Sequence, residues 1–170
     1  MKLALPLILL AGPAWGDCGG YEQTFLHCRI TNSPNTLSVC FDDTVISYRF
    51  GPEQGEPELE LNEQIAAINN TPWPGVGSSI WEEVAFRNFD HSYTVYVGVE
   101  RTAAEDVADP VIVPFTFGGV TVWRNDEEIV TLACDRQTND YRGDGRLAQA
   151  KNQLGYVWDR AANEWVALPD

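Results

Sequence analysis

The side chain with the greatest chemical potential in this chain is Glu82. It stands in Ile80-Trp81-Glu82-Glu83-Val84-Ala85-Phe86, where apolar residues recur at every second position. On a strand it would share one face with Ile80, Val84 and Phe86. A carboxyl held among apolar neighbours loses hydration, its pKa rises, and it can serve as a general acid. Glycoside hydrolysis needs a second carboxylate, and the sequence places none beside it. The structural alternative is that Glu82 sits at the mouth of the fold or bonds a tyrosine such as Tyr48 or Tyr93.

The segment Thr71-Pro72-Trp73-Pro74-Gly75-Val76-Gly77 offers binding rather than catalysis. Prolines fix the backbone on both sides of Trp73, and the glycines permit tight bends. Such a loop either presents its indole as a preorganised hot spot or folds it back to plug one end of the core. Other chemistry is thinly supplied. His27 and His91 read as surface imidazoles, too few for a histidine-rich metal site. No C-x-x-C, no G-x-S-x-G elbow and no calcium-loop spacing occurs, and Asn139–Gly145 reads as a turn. We therefore expect no metal, no cofactor and no assigned catalytic residue.

Alternation of period two runs through the chain and helical periodicity is scarce. The predicted strands are Phe25–Thr31, Thr36–Phe41, Thr44–Phe50, Pro57–Asn62, Ser79–Asn88, Ser92–Arg101, Gly119–Asn125 and Glu128–Asp135. Short turns between them predict an all-β fold, an eight-stranded antiparallel meander closed as a barrel or sandwich. A turn at Phe89-Asp90 would pair Phe86 with Tyr93, Val84 with Val95 and Ile80 with Val99. Glu82 would then lie opposite Val97, and Trp81 would cover Gly98 on the other face. A turn at Asp42-Asp43 would pair Phe41 with Thr44, Val39 with Ile46 and Leu37 with Tyr48. Leu26 would oppose Phe41, and Cys28 would oppose Val39. Thr102–Gly118 reads as a long connection. After Asp135 the spacing predicts a short helix over Leu147–Leu154 and an aromatic hairpin from Tyr156–Asp159 and Glu164–Leu168. The expected organisation is one β domain over 17–170, with its core in 25–135 and a C-terminal appendage in 136–170.

The four cysteines, Cys18, Cys28, Cys40 and Cys134, predict two disulfides. Strand parity turns Cys28 and Cys134 inward and Cys40 outward, which favours Cys28–Cys134 with Cys18–Cys40 and opposes Cys28–Cys40. Residues 1–16 read as a secretory signal peptide. Lys2 is followed by the apolar run Leu3–Ala11, then by small residues at Ala14 and Gly16. The expected location is the periplasm or the cell exterior. The net charge of −14 repels phosphate backbones, which argues against nucleic acid. It favours cationic partners, through the acidic stretches Glu53–Glu63, Glu105–Asp109 and Asp126–Glu128. No membrane span is expected in the mature chain.

Val39-Cys40, Ser47-Tyr48-Arg49-Phe50-Gly51, Pro57–Leu61 and Thr71–Gly75 through Ile80-Trp81-Glu82 resemble a group of small exported bacterial proteins of unassigned function. More weakly, Gly77-Ser78-Ser79-Ile80-Trp81 resembles the serine motif of the inhibitors of C-type lysozyme. That likeness implies a disulfide-bearing antiparallel barrel that blocks the lysozyme cleft. The lysine-glycine motif of those inhibitors has no counterpart here, and Arg101 would have to take its role. The expected function is thus non-enzymatic binding of a cationic protein or small ligand, at sites drawn from Trp73, Trp81, Glu82, Ser78 and Arg101. A lysozyme inhibitor and an envelope enzyme using Glu82 are the alternatives. The leader reading predicts a mature protein that starts at Asp17 and carries no acyl group on Cys18. Intact mass of the exported protein checks this, since a diacylglycerol would add its own mass.

Overall fold

The computed structural model describes Cys18 and residues 23–103, 112–141 and 145–169; residues 1–16, expected to be a leader, lie outside the described residues. Two antiparallel sheets share one core. The first has the order β1 (Gln23–Arg29), β2 (Asn35–Phe41), β3 (Val45–Pro52), β4 (Leu59–Gln64). The second has the order β5 (Asn69–Thr71), β6 (Ser79–Asn88), β7 (His91–Ala103), β8 (Ile112–Arg124), β9 (Glu127–Ala133). A short helix α1 (Arg146–Gln153) and a two-stranded hairpin, β10 (Tyr156–Asp159) with β11 (Glu164–Ala167), complete the described chain. No helix among the described residues is long and apolar enough to cross a membrane.

The all-β, antiparallel reading stands, but the single eight-stranded meander and the closed barrel do not. The meander breaks after β4. Ile65 and Ile68 are both fully buried, and the N–H groups of Ala67 and Ile68 bond back to the Gln64 carbonyl. This turn reverses the chain, and three residues, Asn69–Thr71, take the edge of β6 instead of β4. A side chain ties β4 to β6: the Arg87 N–H donates to the Glu63 carboxylate at 2.9 Å. So short a strand leaves no period-two signal to read in sequence.

The second correction concerns Thr102–Gly118. Strands β7 and β8 pair in unbroken register from His91↔Arg124 to Ala103↔Ile112, so most of the expected connection is strand. Pro114 falls within β8, paired with Arg101.

The Phe89-Asp90 hairpin has the expected register throughout, including Glu82↔Val97. Phe89 occupies its tip at φ 54, fully solvent-exposed. The Asp42 hairpin is displaced by two residues. Phe41 pairs with Ile46, Val39 with Tyr48 and Leu37 with Phe50. The cause is local: Asp42 Oδ1 accepts from the N–H groups of Thr44 and Val45, each at 2.7 Å. Asp42 therefore opens the turn, leaving Asp43-Thr44 as its centre. Leu26 correspondingly opposes Val39, and Cys28 opposes Leu37. A slip of two keeps every side chain on its face.

The inner faces meet in a core built on Leu37, Val39, Phe41, Ile46 and Tyr48 from one sheet and Val84, Phe86, Val95, Val97 and Val120 from the other. The Tyr48 ring packs 5.5 Å from both Phe86 and Tyr93 across the layers. Cys28–Cys134 and Cys18–Cys40 are bonded, the pairing that parity favours. Paired cysteines of this kind persist in oxidising compartments.

The C-terminal elements clamp the segment that leads into β6. Trp165 Nε1 donates to the Asn70 carbonyl at 2.7 Å, and Arg160 Nη1 donates to the Pro74 carbonyl at 3.2 Å. Lys151, the only lysine after Lys2, is buried with its Nζ donating to the Ile68 carbonyl and 5.1 Å from the Trp165 ring centroid. Desolvation lowers its pKa from 10.5 to about 8. Between those values the unfolded chain keeps a proton that the folded chain has released, so stability rises with pH. We predict a higher urea midpoint at pH 9.5 than at pH 7.5. In Lys151→Met this rise disappears.

Candidate functional site

Strand β6 directs Ile80, Glu82, Val84 and Phe86 into the core and Ser79, Trp81, Glu83 and Ala85 to the outer face of the second sheet. Glu82 follows the sequence reading in being buried on the inner face. Its partner is Tyr141, whose hydroxyl donates to Glu82 Oε1 at 3.4 Å, rather than Tyr48 or Tyr93. The adjoining cavity, walled by Thr24, Phe25, Phe41, Arg146 and Leu147, measures about 10 Å³. That is space for roughly one water. Among the described residues nothing there admits a substrate.

Trp73 does not join Glu82. It lies half-buried in the loop before β6, and its indole N–H donates to the Val76 carbonyl at 3.1 Å, closing its own turn. Trp73 is not among the buried core residues, so it does not plug the core. The side chain of Arg101 lies outside the described residues. Ser78 and Trp81 do come together, in an open groove on the outer face.

Two strand glycines create that groove. The register sets Trp81, Gly98 and Phe117 in one row across the sheet, and Glu83, Tyr96 and Gly119 in the next. Trp81 lies across from Gly98 as expected, and an added Cβ at Gly98 would stand 2.3 Å from Phe117 Cζ, so the Phe117 ring covers this glycine. At Gly119 a Cβ would stand 2.6 Å from the Tyr96 hydroxyl. Each ring thus folds down onto the bare backbone of the neighbouring strand. Phe117 leans towards Trp81, while Tyr96 leans away from Glu83. The space left over Glu83 is a groove of about 410 Å³, lined by Val76, Ser78, Trp81, Glu83, Tyr96 and Phe117.

Its chemistry is three aromatic rings, two serine hydroxyls from Ser78 and Ser79, and one carboxylate. Burial raises the pKa of the Glu83 carboxyl and of the Tyr96 hydroxyl. Among the described residues no cation pairs with Glu83, and no hydrogen bond reaches its carboxylate. Elsewhere on the same face the aromatic surface does hold a cation: the Arg136 guanidinium sits 4.6 Å from the centroid of Phe115. No cluster of three or more His, Cys, Asp or Glu that could hold a metal occurs among the described residues.

Sequence reasoning missed Glu83, Tyr96 and Phe117. Glu83 and Tyr96 were legible as outward neighbours of Trp81 in the β6–β7 register. Phe117 was hidden inside the stretch taken for a loop.

Comparison with known proteins finds no matching family model, no curated relative and no solved structure of similar fold, so the groove is read on its own chemistry.

The glycine floor is directly testable. A Cβ at residue 119 would stand 2.2 Å from the Leu132 carbonyl oxygen, a backbone atom that cannot swing aside. Gly119→Ala should cost about 1–3 kcal/mol, the usual range for overpacking, read as a lower urea midpoint.

Proposed function

We propose that this is an exported, non-enzymatic binding protein whose ligand occupies the groove over Glu83. The observation that carries this reading is a half-buried carboxylate, without a partner among the described residues, set between Trp81, Tyr96 and Phe117. Leaving a shielded charge unpaired is unfavourable unless something else compensates it. Concave sites of several hundred Å³ with apolar walls and a few polar groups are the usual form of small-molecule sites. The floor of this one is a paired five-stranded sheet, so the rings are held in place before any ligand arrives. The cavity beside Glu82 has space for about one water, which favours binding in the groove over an enzyme built on Glu82. The paired cysteines fit the exported setting.

Ligand-detected NMR with a library of small neutral, cationic and anionic solutes tests the reading. The expected binders compete with one another and lose affinity in Trp81→Ala and in Tyr96→Ala. Binders that ignore both substitutions would place the site elsewhere.

A further inference from the structure

We propose that the groove takes a weakly hydrated organic cation, a quaternary ammonium group, with its methyl groups against Trp81, Tyr96 and Phe117 and its charge compensated by Glu83. This rests on the groove being the ligand site.

Four observations lead to the cation. First, ring faces carry the negative side of the aromatic quadrupole, and Trp and Tyr attract cations most effectively. Second, Glu83 is the groove's only formal charge among the described lining residues, it is half-buried, and no described cation neutralises it. Third, the aromatic surface of this same sheet face already receives a guanidinium, Arg136 over Phe115. Fourth, the chain's net charge of −14 concentrates cations near its surface and repels anions.

The choice of a quaternary over a primary ammonium follows from donor counting. A primary ammonium brings three N–H donors that each seek an acceptor, and it is strongly hydrated. The groove wall is mostly ring carbon, so such a group would give up water without replacing its hydrogen bonds. A quaternary ammonium has no donor to satisfy. It exchanges weak hydration for ring contact and keeps its attraction to the carboxylate. An anionic ligand would face Glu83 at close range. A neutral sugar can stack on the rings, but leaves the carboxylate charge uncompensated.

The test is amide chemical-shift titration of the full mature protein at constant ionic strength, following residues 77, 81, 83, 98 and 119. Choline chloride is the first ligand. Its neutral isostere, 3,3-dimethylbutan-1-ol, has the same shape without the charge. Ammonium chloride has the charge without the methyl groups, and an N-acetylglucosamine trimer represents neutral glycans.

We expect choline to move the groove amides and to bind about tenfold more tightly than the isostere, which is the scale of a partly desolvated cation–π contact. Glu83→Gln should reduce that advantage to about threefold, the share an exposed cation–π contact keeps by itself, and leave the isostere's affinity unchanged. Equal affinity for choline and the isostere would overturn the cationic inference and leave the groove as an apolar site. Equal affinity for choline and ammonium would overturn it in favour of diffuse charge attraction. Shifts from the glycan alone would overturn it in favour of a sugar site, with the groove intact. Silence of the groove amides towards all four, together with a library binder that moves amides elsewhere, would remove the groove reading itself. The comparison of the four ligands is made on the native protein, so it stands even if a variant folds poorly.

Discussion

The two sheets are joined at one corner, and the rest of the molecule depends on that junction. Cys28 near the end of β1 is bonded to Cys134 just after β9, across 106 residues of sequence. The backbone follows the disulfide. Ile30 bridges Cys134, the Thr31 N–H donates to the Ala133 carbonyl, and the Asp135 N–H donates to the Arg29 carbonyl. A crosslink spanning so much chain removes much freedom from the unfolded state, and losing one in a small exported domain costs about 2–5 kcal/mol. It also decides which layer faces which, because inward residues of both sheets must then meet around Tyr48, Phe86 and Tyr93. At the opposite corner β4 and β6 are linked by the Glu63 carboxylate rather than by a ladder, and the layers stay open there.

A filled interior leaves little space for a ligand. Tyr48 is buried, and desolvation pushes its hydroxyl pKa well above the usual tyrosine value. Glu82, the one acid of β6 turned inward, is taken up by Tyr141. The groove of about 410 Å³ lies instead on the solvent side of the second sheet. There Gly98 and Gly119 let rings from adjacent strands lie against backbone, which produces an aromatic floor rather than a row of upright side chains. Glu83 stands half-buried among those rings.

The C-terminal elements serve the same face indirectly. Trp165, Arg160 and Lys151 hold the carbonyls of Asn70, Pro74 and Ile68, along the path from β5 towards the loop that ends in Ser78. Trp73 closes its turn onto Val76, a residue of the groove wall. The prolines and the tryptophan thus shape the rim, and the tail anchors it. This explains why a rigid aromatic loop sits beside the groove without its indole lining it.

Side-chain parity was what the sequence could determine alone. Period-two alternation assigned inward and outward faces, and that assignment survived a two-residue displacement at the Asp42 turn, because an even slip leaves faces unchanged. The disulfide pairing depended only on parity, so it was legible, as was the Phe89-Asp90 hairpin with Glu82 turned inward. The sheet division was not legible. It depends on Asn69–Thr71, three residues whose strand state comes from pairing with β6, and on Pro114 being carried by the long β7 strand opposite it. The groove depended on the same tertiary facts. Which ring covers which glycine is decided by neighbouring strands far apart in sequence, and only when β8 lies beside β7 do Phe117, Gly98 and Trp81 fall in one row. Parity is a local property of a strand's backbone, whereas the order of strands and the lean of side chains between them follow from packing that no single segment contains.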